Sequence, residues 1–222
     1  MFPDLTCDDV FRIETKRLWL RWPNFGDVAA ILRLAGDKQV AEMTARIPHP
    51  YPPHEAEAYI RSARADNAAG RSLLLAVALK ERPDELVGMV GVSPGRGKAP
   101  VLGYWIGRPH WGHGYATEAA QALIDTVFTL AETDEIAAAA RLINPASRGV
   151  LEKCGFQFEG QGMIDTPARG VVAVDTFRLA RRTFESLKLW RSPSVPRLVI
   201  DALSVDMIAA RPSDEAVACM AK

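Results

Sequence analysis

One stretch limits what this chain can become more than any other. An apolar run, Val101-Leu102-Gly103-Tyr104-Trp105-Ile106, leads into His110-Trp111-Gly112-His113-Gly114-Tyr115-Ala116-Thr117-Glu118. The run reads as a buried strand. After it, Ala116, Ala119, Ala120, Leu123, Val127 and Leu130 recur at helical spacing. Two glycines therefore sit where a strand becomes a helix. Glycine admits positive φ and close approach of the main chain. A helix start carries unpaired N–H groups at its positive dipole end. Together these make a seat for a phosphate or pyrophosphate. The same residues also satisfy a plain tight turn from strand to helix. They do not make a nucleotide P-loop, since no Gly-Lys-Ser/Thr follows. Nor do they make a dinucleotide fingerprint, since position 117 is Thr and no opening βαβ unit precedes it.

A second motif follows the apolar run Ile136 to Ile143. It reads Asn144-Pro145-Ala146-Ser147-Arg148-Gly149-Val150-Leu151-Glu152-Lys153-Cys154-Gly155-Phe156. With these two motifs in this order, about thirty residues apart, the chain resembles the GNAT acetyltransferase superfamily. Within it, the likeness is to the branch that acetylates ribosomal-protein N-termini, which commonly begins with an Arg-Leu-x-Leu-Arg strand like Arg17 to Arg21 here. That superfamily binds acetyl-CoA with an Arg/Gln-x-x-Gly-x-Gly/Ala loop, which maps onto Trp111, Gly112, His113, Gly114, Tyr115 and Ala116. Its Asn-x-x-Ser…Lys-x-Gly-Phe element matches Asn144, Ser147, Lys153, Gly155 and Phe156. The resemblance covers roughly residues 12 to 181.

The resemblance implies a mixed α/β (α+β) fold, with a central, mostly antiparallel twisted sheet splayed at the acetyl-CoA cleft and flanked by helices. It implies transfer of acetyl from acetyl-CoA, the co-substrate, to a primary amine by direct attack. The N–H groups from His113 to Thr117 would meet the pyrophosphate. The backbone around Trp105 and Ile106 would pair with the pantetheine amides as an added strand does. A backbone N–H near Ile106 would face the thioester oxyanion. Trp111 stands where the family has Arg or Gln, and packing is its expected role. Many members protonate the thiolate with a Tyr four residues after the position of Ser147. Here that residue is Leu151, so Ser147 is the expected donor, with Asn144 or a water orienting it. Ser147 also suits a first-turn residue that satisfies helix N–H groups.

Relatives often carry a Glu just before Gly-Tyr-Trp, yet Ala99-Pro100-Val101-Leu102 holds no carboxylate. At pH 7 a lysine amine of pKa ~10.4 is about one part in 2,500 neutral, whereas an α-amine near ~7.7 is roughly one-sixth neutral. A site without a strong base therefore suits an α-amine. His49, Tyr51 and Tyr104 are expected to line the acceptor side, His49 from a loop with four prolines in six residues. That loop also reads as a stiff connector. Glu118 is expected to stabilise the helix start, and Cys154 to fill space. A catalytically weak acyl-CoA-binding sensor or scaffold is the alternative reading.

The chain of 222 residues suffices for one domain with a sizeable core. Its formal net charge of zero offers no steering toward nucleic acid or an anionic membrane. Three scattered cysteines form neither a metal set nor a disulfide framework, so free thiols in the cytoplasm and no metal are expected. No transmembrane run or signal peptide is expected, and the assembly is expected to be a monomer or homodimer. Residues 1–182 should form the catalytic domain, and 183–222 an extension of unknown role.

Along the chain, residues 1–11 read as a lead-in and Thr15 to Trp22 as one strand. A helix follows from Asn24 to Gly36, and another from Pro53 to near Gly70. Ser72 to Leu79 reads as a strand, Arg82 to Glu85 as a turn, and Leu86 to Val92 as a strand whose glycines suggest a bulge or a close neighbour. Gly95 to Lys98 is a turn. Phe156 to Met163 and Val171 to Leu179 close the sheet. Thr183 to Trp190 reads as helix, Ser192 to Pro196 as a breaker, and Leu198 to Leu203 as a strand.

Overall fold

The structure, a computed structural model, describes residues 1–190 apart from Arg96, Lys98 and Pro167, together with residues 197–199. Among the described residues, nine strands form one sheet: β1 (Arg12–Glu14), β2 (Leu18–Arg21), β3 (Leu73–Leu79), β4 (Arg82–Ser93), β5 (Val101–Ile106), β6 (Glu135–Arg141), β7 (Gln157–Thr166), β8 (Gly170–Ala180) and β9 (Arg197–Val199). Their order is β7-β8-β6-β5-β4-β3-β2-β1-β9, antiparallel throughout except between β5 and β6. Six helices cover it: α1 (Val28–Ala35), α2 (Lys38–Met43), α3 (Pro53–Ala68), α4 (Tyr115–Leu130), α5 (Pro145–Cys154) and α6 (Arg181–Trp190).

The apolar spacing of α4 gives it its place. Ala119, Ala120, Leu123, Ile124, Val127 and Phe128 form one buried stripe against the sheet. They join Leu18, Leu20, Leu75, Val90, Leu102, Ile136 and Phe177 in the larger core. On the opposite face Ile31, Leu34, Ala56 and Ile60 from α1 and α3 pack on Ala76, Leu86 and Met89. The central strands are therefore buried on both sides, and β3 reads Leu-Leu-Leu-Ala-Val-Ala-Leu without polar alternation.

Several expectations shift by a few residues for identifiable reasons. The first strand is a hairpin of β1 and β2, because Thr15 folds the chain: its Oγ1 accepts from the Leu18 N–H at 2.9 Å. Gly36 ends α1, and Asp37 at once caps the unforeseen α2 by accepting from the Gln39 N–H at 2.8 Å. Arg82 to Glu85 is not the turn; the chain reverses at Lys80 and Glu81. A register shift about Ala78 leaves Pro83, Asp84 and Glu85 without ladder partners, so proline's missing donor costs nothing. Gly88 gives the close approach: a Cβ there would lie 2.3 Å from the Trp105 carbonyl oxygen. Position 182 falls inside α6, which packs on the domain. Phe184 and Phe128 lie 5.0 Å apart, and the Arg181 guanidinium donates to the Ala131 and Thr133 carbonyls. Part of the strand expected at 198–203 is β9; residues 200–203, the breaker at 192–196, and Arg96 and Lys98 of the turn lie outside the described residues.

Asn67 shows how an exposed ladder end is closed. Register places Ala76 opposite Arg21, the last residue of β2, so Leu74 lies beyond that strand. The fully buried Asn67 amide replaces it, donating to Leu74 O at 2.9 Å and accepting from Leu74 N–H at 2.8 Å. Asn67→Ala strands both groups and should cost about 1–3 kcal/mol, read as a lower urea midpoint with an unchanged KM for acyl donor.

Candidate active site

The ladder between β5 and β6 holds only two residue pairs, Val101 with Ala137 and Leu102 with Ala138. Beyond Leu102 the strands part. Gly107 N–H donates to Val87 O at 2.8 Å, so Gly88 and Ile106 face each other as the non-hydrogen-bonded pair of the antiparallel ladder. Ile106 therefore turns its own N–H and C=O away from β4 and into the cleft, and Tyr104, two residues back, does the same. This corrects one expectation. Trp105 spends its backbone groups on Met89 of β4, so Tyr104 and Ile106 offer the free edge. Ile106 O is already taken, accepting from the Trp111 indole N–H at 2.6 Å. Trp111 is thus fastened by its ring nitrogen and stays 41 % exposed, where packing was expected.

The loop after Trp111 is built by two left-handed glycines, Gly112 and Gly114, both at φ 77°. Gly114 is the N-cap of α4 and has no side chain to cap it. The N–H groups of Tyr115, Ala116 and Thr117 begin the helix there. A Cβ at Gly112 would meet nothing within 4 Å, and one at Gly114 only the Arg17 guanidinium at 3.6 Å. The glycines are needed for their φ and leave open space in front of the helix. N–H donors at an open helix start favour an anion.

Arg17 holds this loop, a role the sequence reading did not assign. Its guanidinium donates to His113 O at 2.8 Å and to Glu118 Oε2 at 2.7 Å, and lies 4.7 Å from the Tyr115 ring centroid. Glu118 also accepts from Arg17 N–H at 2.7 Å and Thr15 Oγ1 at 2.6 Å. So Glu118 does more than favour a helix dipole: it ties α4 to the turn between β1 and β2. His113 stacks on Tyr115, centroids 5.5 Å apart, and its Nδ1 lies 2.8 Å from Trp111 O.

On the other wall, Asn144 caps α5. Its Oδ1 accepts from Ser147 N–H at 3.0 Å, and its Nδ2 donates to Met43 O at 3.0 Å. Ser147 Oγ and Tyr104 Oη are 2.9 Å apart, and Tyr104 Oη also donates to Ser147 O at 3.0 Å. Tyr104, expected only to line the acceptor side, thus contacts the expected proton donor directly. Burial pushes the Tyr104 hydroxyl well above the usual tyrosine range, against the lowering effect of its bond to Ser147, so it keeps its proton. Leu151 is buried and serves the core.

The acceptor-side loop is less convergent. His49 is exposed, with Nδ1 3.0 Å from Gly36 O. Tyr51 packs against the α1–α3 core, and burial raises its pKa, with Glu55 adding to the rise. Cys154 is buried beneath α5. Among the described residues no group of three or more His, Cys, Asp or Glu side chains is placed to hold a metal, and no helix is long and apolar enough to cross a membrane.

Comparison with known proteins agrees with this geometry. The family model described as "Acetyltransferase (GNAT) domain" matches residues 17–157. An uncharacterized N-acetyltransferase p20 of Bacillus licheniformis is 30 % identical over 176 residues, covering 78 % of this chain and 97 % of that protein. The Escherichia coli ribosomal-protein-serine acetyltransferase is 33 % identical over 82 residues, covering 36 % of this chain and 45 % of that one. Among solved structures, the ribosomal α-N-protein acetyltransferase RimL in complex with coenzyme A superposes with a TM-score of 0.65. It is 17 % identical, over 76 % of this chain and 97 % of that one.

Burial alone would raise the Glu118 pKa, but its bonds to Thr15 and Arg17 outweigh it and hold the carboxyl below its ordinary 4.5. A carboxyl depressed in the folded state stabilises the fold above its unfolded pKa and loses that contribution as pH falls through the folded one. Glu118→Gln should therefore destabilise at pH 7 and weaken coenzyme A binding. Thermal unfolding should show the gap from wild type closing as pH falls below 4.5.

Proposed function

From the premise that the chain belongs to the GNAT acetyltransferases and is an acetyl-CoA-dependent acyltransferase, we propose that it acetylates α-amines by direct attack, with Ser147 and Tyr104 serving the departing thiolate. The observation that carries this reading is the hydrogen bond between Tyr104 Oη and Ser147 Oγ at the edge of the parted strands.

The free N–H groups of the α4 first turn hold the pyrophosphate, and the cleft-facing backbone of Tyr104 and Ile106 meets the pantetheine. The amine lone pair attacks the thioester carbon. Negative charge develops on the carbonyl oxygen, and the Ile106 N–H is the donor that faces it. As the C–S bond breaks, sulfur needs a proton. Tyr104 has one hydroxyl hydrogen and two acceptors within reach. When it donates to Ser147 Oγ, Ser147's own hydrogen is released toward sulfur. Water takes a proton from the amine nitrogen and returns one to Ser147 Oγ, so the proton gained by sulfur balances the one lost by nitrogen.

Support for an α-amine comes from the stretch Ala99 to Leu102, just before Gly103-Tyr104-Trp105, which holds no carboxylate. An amine that is already partly neutral needs no strong base. The E. coli and RimL relatives, whose names specify ribosomal-protein acetylation, point the same way. Cys7 and Cys154 are thiols, which suits a reducing compartment, and we place the enzyme in the cytoplasm.

Ser147→Ala should lower kcat by about 10²-fold with little change in the KM for acetyl-CoA, the range for loss of a proton donor. Tyr104→Phe should fall between wild type and that variant. In a thiol-release assay at pH 7, peptides with a free N-terminus should outpace N-blocked peptides carrying one lysine. Faster acetylation of the lysine peptides would end the α-amine reading.

A further inference from the structure

The end of α2 and the segment after it are held down from across the cleft by arginines that, among the described residues, pair with no acid. Arg141, the last residue of β6, donates to the Glu42 carbonyl. Arg169, in the turn between β7 and β8, donates from Nε to Thr44 O at 3.2 Å and from a terminal nitrogen to Ile47 O at 3.3 Å. Arg46 stands exposed on the same segment. None of the three lies within ion-pair distance of a carboxylate among the described residues. The Glu42 carboxylate acts on Arg141 only at longer range and lies 3.9 Å from Lys38 Nζ. Arg141 Nε is buried without a partner. Burial first, and the nearby Arg169 charge second, hold the Arg141 guanidinium below its ordinary pKa.

Carbonyl oxygens satisfy some of these donors but cancel no charge. A guanidinium has five N–H groups, and here two close cations leave several unused. A half-buried pair of like charges is unfavourable until an anion joins it. The location gives the anion a meaning. Asn144 N–H donates to Arg141 O at 2.8 Å, and the Asn144 side chain joins Met43 of the same segment to Ser147. The arginines therefore flank the acceptor end of the cleft, away from the glycine loop.

We propose that Arg141 and Arg169 form a carboxylate-binding site at the acceptor mouth, so that the preferred acceptor carries an acidic group close to its reacting amine. The inference rests on the acyl-transfer reading above and specifies its substrate class. A carboxylate reaching both guanidiniums gains charge-assisted bonds at a site already shielded by the loop.

The test compares two acceptor peptides with free N-termini, Ser-Asp-Asp and Ser-Asn-Asn followed by one common sequence. Both are assayed with acetyl-CoA on wild type, Arg169→Gln, Arg169→Lys and Arg141→Gln. Wild type should favour the acidic peptide by about tenfold or more in kcat/KM, the scale of one charge-assisted bond. Arg169→Gln and Arg141→Gln keep N–H donors for the loop carbonyls, so they should erase the preference while leaving the KM for acetyl-CoA unchanged. Arg169→Lys should retain part of it. Equal wild-type rates, or loss of both peptides by one common factor in the Gln variants, would overturn the proposal and leave the arginines as struts. The same sequences, N-blocked and carrying a lysine in place of Ser, separate the two readings. Faster lysine acetylation with the acidic preference intact removes the α-amine reading and keeps the arginine site. α-Amine acetylation without the preference does the reverse.

Discussion

The structure depends on a ladder that stops after two rungs. Main-chain N–H and C=O groups inside a protein need partners, and two adjacent parallel strands normally supply them. Here β5 and β6 pair only through Val101 and Leu102. Three contacts keep the rest from zipping up. Gly88 has no Cβ, so β4 lies directly against the Trp105 carbonyl and draws the end of β5 toward itself. The Trp111 indole occupies the Ile106 carbonyl. The Tyr104 hydroxyl reaches to the first turn of α5 and props that helix off the strand. What remains is a short edge with unspent donors, and a ligand with amide groups completes it as a further strand would.

The glycine loop obeys the same logic at its other end. An uncapped helix start of α4 presents unsatisfied N–H groups to solvent. The loop in front of them takes its shape from two positive φ angles, which by themselves fix little. Arg17 supplies the missing rigidity. It bonds both to the loop, at His113, and to the helix, at Glu118, so the donors keep one spacing before any anion arrives. Its charge is answered by Glu118, so an anion bound at this loop would meet chiefly main-chain dipoles. That is consistent with Trp111 standing where the resemblance implies Arg or Gln.

Local pattern made the parts legible. The stripe of α4 and the uniformly apolar β3 follow from spacing alone, and each lies where the sequence puts it. The glycine pair was legible as a turn with positive φ because few other residues tolerate it. What stayed hidden depends on contacts between distant residues. Arg17 and Glu118 are 101 positions apart, and nothing in either neighbourhood announces the pair. Tyr104 and Ser147 are 43 apart, so Tyr104 read as lining and Ser147 as a lone hydroxyl. The alternation that decides between Trp105 and Ile106 for the cleft edge is set by register against β4, which one strand's sequence does not contain. The β1–β2 hairpin and α2 were missed for a different reason: at three to six residues each element is too short to show a period, and a single Thr15 or Asp37 side chain settles the chain's direction.

Within seven residues, Arg141 to Ser147, the proposed reading puts groups for both substrates. Arg141 reaches the α2 end, Asn144 reaches Met43, and Ser147 reaches Tyr104. Asn144 is the link, because its two amide atoms face opposite ways. Nδ2 grips the acceptor-side segment, and Oδ1 caps the turn that carries Ser147. Any movement of residues 42–47 that pulls on Nδ2 also turns the oxygen that fixes the Ser147 amide. On the proposed reading, an acceptor that settles against that segment would act on the helix turn that holds Ser147. Placement of the donor and admission of the acceptor would then be one mechanical event, carried by the Asn144 side chain.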